Sequence, residues 1–249
     1  MTGRVKGRTA VVTGSAGGLG VEFCVALARE GARVVVGVDI SDQGPTQERV
    51  EAVGGSFLGV HADITSEDAC AAVAAEVQQR AGGATILVNN AGVFPVVPFL
   101  ETSLTEWRRI HRLNVEGTFL MTRSLLPQLL EASWGRVVNI SSAVVWLGPP
   151  GMVAYTASKA ALIGMTRALA AEIGDSGVTV NAITPGLTRT ATALATAVNE
   201  QFPHVVAGQA VPRAEEAVDL VSALLFLCDE GSTFVTGQTI NVDGGFAKH

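Results

Sequence analysis

Unbroken runs of aliphatic and β-branched residues recur along the chain. Between them lie alanine-rich stretches whose apolar positions fall three or four apart. Continuous apolar runs bounded by turn residues mark strands buried on both faces of a parallel sheet, whereas strict alternation would mark half-exposed strands. On this pattern strands are expected at residues 9–13, 33–38, 56–60, 86–89, 136–140, 178–183 and 239–242. Helices are expected at 20–29, 67–80, 104–130 and 154–173. Strand and helix alternate, which predicts a doubly wound α/β fold: a parallel sheet covered by helices. No linker, low-complexity tract or repeat interrupts the pattern, so 1–249 read as a single domain.

The stretch 187–212 stands apart, with a Thr/Ala-rich segment followed by Phe202, Pro203 and His204. It follows a strand and precedes a helix, on the edge where open α/β sheets bind ligands. An insertion of this length reads as a mobile substrate lid, against the plainer alternative of a connection with one short helix.

Composition narrows the class. Hydrophobic residues make up 48% of the chain and charged residues 16%, which supplies a large core and argues against disorder. The net charge of −6, with no basic run longer than Arg108 and Arg109, argues against a nucleic-acid surface. Cys24, Cys70 and Cys228 are far apart with no C-x-x-C, as expected of reduced thiols in a cytosolic protein. His61, His111, His204 and His249 are too scattered to suggest a metal site. The apolar stretch after the basic start is too short for a signal peptide, and none approaches the roughly 20 residues of a bilayer span. A soluble cytoplasmic protein without a membrane partner is expected.

Candidate chemistry begins at residues 13–20, which follow the first strand and open a helix. Gly14, Gly18 and Gly20 would let the backbone approach a pyrophosphate, held by the free N–H groups and dipole of the helix N-terminus. Asp39 closes the second strand, where a carboxylate can accept from both adenosine ribose hydroxyls and would repel the 2′-phosphate of NADP. The glycine loop carries no lysine or arginine for that phosphate, so NAD is the expected cofactor. The alternative for Asp39 is a cap or turn residue. Asp63 either reaches the adenine amino group or forms an Asx-turn. Tyr155 is the sole tyrosine and Lys159 one of three lysines, spaced i, i+4. On a helix that spacing puts phenol and ammonium on one face, where the cation would lower the tyrosine pKa from about 10.

In order, residues 13–20, Asn89-Asn90-Ala91-Gly92, Asn114, Ser142, Tyr155-x-x-x-Lys159 and Pro185-Gly186 resemble the short-chain dehydrogenase/reductase family. The resemblance runs the length of the chain. It implies a single-domain Rossmann fold with a seven-stranded parallel sheet and, commonly, a homotetramer assembled through helices like 104–130 and 154–173 and the C-terminal segment. It also implies that Tyr155 is the general acid/base and that Lys159 tunes it and holds the nicotinamide ribose. Ser142 would orient the substrate oxygen, and Asn114 would position a water linking Lys159 to solvent. Pro185, the Leu187 backbone and the Thr188 hydroxyl would bind the carboxamide, with Leu19, Ile64 and Asn90 as further cofactor contacts. Asn89 looks structural.

The substrate pocket is expected from Phe94, Val144, Trp146, Met152 and the lid, almost all apolar, which suits an aryl or alkyl ketone and its secondary alcohol. Phe94-Pro95, Trp146-Leu147, residues 188–192 and the terminal Gly-Gly-Phe-Ala-Lys-His more loosely resemble NAD-dependent 1-phenylethanol dehydrogenases. Members that reduce 3-oxoacyl thioesters or oxidise pyridoxal-type alcohols share parts of this pattern. A silent cofactor-binding scaffold is the alternative from another class.

Overall fold

The structure is a computed structural model describing residues 3–248, so His249 lies outside the described residues. In chain order the strands are β1 (Thr9–Thr13), β2 (Val34–Asp39), β3 (Phe57–His61), β4 (Ile86–Asn89), β5 (Gly135–Ile140), β6 (Val178–Pro185), β7 (Thr188–Arg189), β8 (Glu215–Glu216) and β9 (Thr239–Val242). Seven form one parallel sheet in the order β3-β2-β1-β4-β5-β6-β9, and β7 pairs with β8 in a separate two-stranded clip. The helices are α1 (Gly18–Arg29), α2 (Gly44–Glu51), α3 (Glu67–Ala81), α4 (Leu104–His111), α5 (Thr118–Glu131), α6 (Val144–Leu147), α7 (Val153–Glu172), α8 (Ala191–Leu194), α9 (Phe202–Gly208) and α10 (Val221–Cys228).

The continuous apolar strands are buried on both faces because each face has its own core. Val11 and Leu87 point into a cluster with Val73 and Val77 of α3 and Leu125 and Leu129 of α5. Their neighbours Ala10, Val12, Ile86 and Val88 point the other way, onto Phe23 and Leu27 of α1 and Leu224 and Leu227 of α10. Strand order reverses at β1, which lies between β2 and β4. The loops leaving β1 and β4 therefore diverge, opening a crevice beyond the strands' carboxyl ends.

Three features differ from the pattern expected of the sequence. The helix expected over 104–130 is interrupted by a wider π-helical turn, Arg112–Gly117, which carries the fully buried Asn114. Gly117 faces Ile64 there, and an added Cβ would lie 2.9 Å from its side chain. Helix α2 went unseen because it is polar, burying only Thr46 and Val50. The clip is two residues long on each side, too short to leave a period. Among the described residues no helix is long and apolar enough to cross a membrane, and all three cysteines are free and buried.

A polar chain through the centre of the sheet ties it to α5 and α7. Asn89 Nδ2 donates to Asn139 Oδ1 at 2.8 Å and to Thr122 of α5 at 2.9 Å. Asn139 Nδ2 donates in turn to Thr166 of α7 at 2.9 Å. Asn139 has no solvent exposure, so truncating it strands buried partners. Asn139→Ala should lower unfolding free energy by about 1–3 kcal/mol in urea denaturation.

Candidate active site

The loop after β1 is shaped by what its glycines lack. Gly14 has φ +66°, and a Cβ there would lie 2.8 Å from Ala91 Cα; one on Gly20 would lie 2.0 Å from the Gly14 carbonyl oxygen. Gly17 stands at the N-cap of α1 without a side-chain hydrogen bond, leaving the first amides of the helix open to an anion. Asn90 braces this loop, its Nδ2 donating to the carbonyls of Thr13 (2.9 Å) and Gly14 (3.0 Å). Asp39 braces it from the other side: Oδ2 accepts from Ala16 N and Oδ1 from Ser41 N, both at 2.9 Å. The turn role weighed for Asp39 is thus present, and each carboxylate oxygen keeps a lone pair for another donor. A close-approach cradle at an uncapped helix start, followed by an acid at the end of β2, fits a dinucleotide.

Asp63 is exposed and forms an Asx-turn, Oδ1 accepting from Thr65 N at 2.9 Å. The Ile64 side chain is buried in the core beneath it. Both lie at the end of β3, outside the main cleft.

That cleft has a volume of about 770 Å³ and is lined by Gly14, Gly18, Leu19, Asn90, Phe94, Ser142, Val144, Met152, Tyr155, Lys159, Pro185, Leu187 and Thr188 together. Residues as far apart in the chain as Gly14 and Thr188 thus meet because β1, β4, β5 and β6 all end on this side. Trp146 does not line it. Helix α6 is a single turn, so Val144 and Leu147 share its inner face, while the Trp146 indole donates to Thr184 of β6 at 3.4 Å. Gln201, His204 and Phe246 also line the cleft; only their position near the lid and terminus could have suggested them.

The Ser142 hydroxyl and the Tyr155 phenol share the cleft wall, close enough for the serine to favour the ionised phenol, and the Phe94 ring meets the Tyr155 ring edge-on at 6.3 Å. Lys159 Nζ donates to Ile140 O at 2.7 Å and lies 5.9 Å from the tyrosine ring centroid. Burial pushes the phenol up to about 12, only partly offset by Ser142, and pushes the Lys159 ammonium down to about 8. The expected downward pull of Lys159 on Tyr155 does not appear among these causes. Desolvation dominates in the protein alone.

Asn114 is engaged with the protein on both side-chain polar atoms. Its Nδ2 donates to Val93 O and Ser158 Oγ (both 3.0 Å), and its Oδ1 accepts from Val93 N at 2.9 Å. The side chain thus pins the loop after β4 to α7. It stays next to Lys159 across Gly92, where a Cβ would lie 3.0 Å from Asn114 Oδ1 and 3.3 Å from Lys159 Nζ. The Thr188 hydroxyl, expected to face a carboxamide, donates to buried Glu215 at 2.5 Å.

The short-chain dehydrogenase family model matches residues 8–201, and the chain belongs to that family. It is 36% identical over 97% of its length to a hydroxy(phenyl)methylsuccinyl-CoA dehydrogenase subunit of Thauera aromatica, covering 97% of that protein. It is 34% identical over 97% of its length to a 3-oxoacyl-acyl-carrier-protein reductase of Aquifex aeolicus, covering 98% of it. Among solved structures, a Beutenbergia cavernae protein described as an NAD(P)-dependent gluconate 5-dehydrogenase, with bound NADP, superposes with TM-score 0.92 at 35% identity, 99% of each chain being covered. The protein is therefore an oxidoreductase acting on CH–OH groups with a nicotinamide cofactor.

Gly20→Ala tests the cradle. Relieving the 2.0 Å clash must move the loop away from the cofactor, so NADH affinity by fluorescence titration should fall roughly tenfold or more, with the far-ultraviolet circular dichroism retained.

Proposed function

We propose that the protein is an NAD-dependent dehydrogenase interconverting a hydrophobic, aryl or alkyl, secondary alcohol and its ketone. The observation that carries this reading is a largely apolar cleft, with Phe94, Val144, Leu147 and Met152 in its wall, that contains the Tyr155–Ser142 pair. Apolar walls favour a carbon-rich substrate, and few convergent polar groups fix its orientation.

In this reading Ser142 donates to the substrate oxygen and sets it beside Tyr155. Tyr155 takes the hydroxyl proton in oxidation and returns it in reduction. The nicotinamide, when bound, supplies or accepts the hydride. Lys159 binds the nicotinamide ribose, while Asn114 holds the Val93 loop and the α7 turn that carry Lys159 and Tyr155. A phenol raised to about 12 serves as a base only if a positive charge enters the cleft, so the oxidised cofactor must help to lower it. Pro185, Leu187 and Thr188 hold the carboxamide. Asp39, with no basic side chain in the 13–20 loop, favours NAD over NADP. The Beutenbergia relative has NADP bound, so cofactor choice rests on these residues of this chain. Residues 187–212 act as the substrate lid. Buried free thiols suit a cytoplasmic location.

A second reading, reduction of a 3-oxoacyl thioester, draws support from Gln201 and His204 in the cleft and from the Aquifex relative. The exposed apolar residues Leu100, Leu104 and Phe119, with Phe226 and Phe234 at the other end, support a homotetramer of this chain. Light scattering on a sizing column should give four subunits.

A panel of alcohols with NAD and NADP, followed at the nicotinamide absorbance, tests the activity. Turnover is expected with NAD and apolar secondary alcohols. Activity with NADP alone, or with 3-oxoacyl thioesters and no apolar alcohol, would overturn it. Tyr155→Phe should lower kcat by roughly 10²–10⁴-fold, leaving NAD affinity largely intact. Asp39→Ala should narrow the NAD-over-NADP preference by about tenfold.

A further inference from the structure

The clip formed by β7 and β8 brings a carboxyl group behind the wall of the cleft. Thr188 pairs with Glu215 and Arg189 with Glu216. Glu215 is 4% exposed. Its Oε1 accepts from the Thr188 hydroxyl at 2.5 Å and its Oε2 from Gly186 N at 3.2 Å, and both donor residues line the cleft. An added Cβ on Gly186 would lie 2.9 Å from Glu215 Oε2. Glu215 therefore sits directly behind the backbone on which the carboxamide site is built.

The charges around it are themselves engaged. Asp219, just after β8, is gripped by both terminal nitrogens of Arg213 at 2.6 and 2.7 Å. Asp243, after β9, accepts the amides of Gly245, Phe246 and Ala247. Arg189 lies 3.8 Å from Glu216 on the outer side of the clip. Among the described residues no lysine or arginine forms an ion pair with Glu215. Burial, with Asp219 and Asp243 as like-charged neighbours, holds its carboxyl up near about 7.

The geometry points to Glu215 as a positioning residue that reads the charge of the nicotinamide through Thr188. Ionised, Glu215 takes the Thr188 hydroxyl hydrogen, so Thr188 Oγ1 presents lone pairs to the carboxamide NH₂. Protonated, Glu215 can donate to Thr188 Oγ1, which frees the threonine hydrogen for the carboxamide oxygen. A carboxamide has both groups, so either state binds, but only the ionised one adds an attraction for a positively charged ring. Oxidised cofactor should therefore bind with Glu215 ionised and expel its proton, whereas the neutral reduced ring should not. The buried carboxylate thus biases the cleft toward NAD+ over NADH above neutral pH, when Glu215 is ionised, and loses that bias as pH falls.

The inference rests on the nicotinamide reading of the cleft, and its test reads binding. Calorimetric titrations of NAD+ and NADH across pH 6–9, in buffers of different ionisation enthalpy, count the protons released. Tyr155→Phe serves as the background, so that the phenol cannot contribute. NAD+ should release more protons than NADH near neutral pH, and adding Glu215→Gln should abolish the difference. At pH 8 Glu215→Gln should weaken NAD+ binding by about tenfold while leaving NADH within about twofold. Equal proton release for the two cofactors, or an unchanged affinity ratio in Glu215→Gln, overturns the inference. If Glu215→Gln does not fold, Glu215→Ala takes its place in the same background, with the same outcomes, because Lys159 also titrates in the cleft and only loss of the carboxyl separates the two. Binding of neither nucleotide, nor of NADPH, would instead overturn the cofactor reading and the inference with it.

Discussion

Lys159 brings an ammonium to a place with 4% exposure, and an unpaired buried charge costs several kcal/mol unless its protons find acceptors. One proton goes to Ile140 O, the last carbonyl of β5. The same strand end answers in reverse, since Ser141 Oγ donates to Lys159 O at 2.8 Å. Helix α7 is thereby locked to β5 by two bonds in opposite senses, and Ser142 and Tyr155 inherit their positions from that lock. Moving α7 by a fraction of a turn would break both bonds and carry the phenol away from the serine. The chemistry of the cleft depends on this register.

The site is also insulated from the elements that give the protein its stability. The two cores lie on the faces of the sheet, whereas the reacting groups lie beyond its carboxyl ends, where backbone turns replace side-chain packing. Those turns need positive φ at Gly14 and Gly18, close backbone approach at Gly20 and the π-helical turn at 112–117. The wider turn lets buried Asn114 face Val93 and Ser158 at once, tying the loop after β4 to α7. Local irregularity here lets one side chain brace two elements.

This explains what was legible in the sequence. The inner strands read clearly because both of their faces are buried, while the edge strands β3 and β9, only partly buried, still show as short β-branched runs bounded by turns. Helices with a strongly apolar inner face, such as α3 and α7, read nearly as well. Helix α2, with two buried residues, lies on the rim and carries little signal. The π-helical turn keeps a helical composition, so 104–130 looked unbroken. Motif spacing placed Ser142, Tyr155 and Lys159 on one cleft, since spacing within a strand end or one helix survives folding. Trp146 was misplaced because the direction of a one-turn helix cannot be averaged over a period. The protein partners of the Asn114 side chain, on two other elements, leave no mark in its neighbours along the chain.

Glu215 shows the limit from the other side. It lies 27 residues from Thr188, across α8 and α9, and in the sequence it is one acid beside another, Glu216. Adjacent residues in an extended segment point to opposite faces, so one is buried under the cleft and the other pairs with Arg189 outside. Nothing in composition separates them; only the pairing of β7 with β8 does. The segment between the two strands of the clip carries Val198, Gln201 and His204 into the cleft wall. The clip that holds Thr188 at the cleft is therefore also the root of the segment that forms part of its wall. A change at either strand therefore moves both the backbone at Gly186 and Thr188 and the wall segment that follows it.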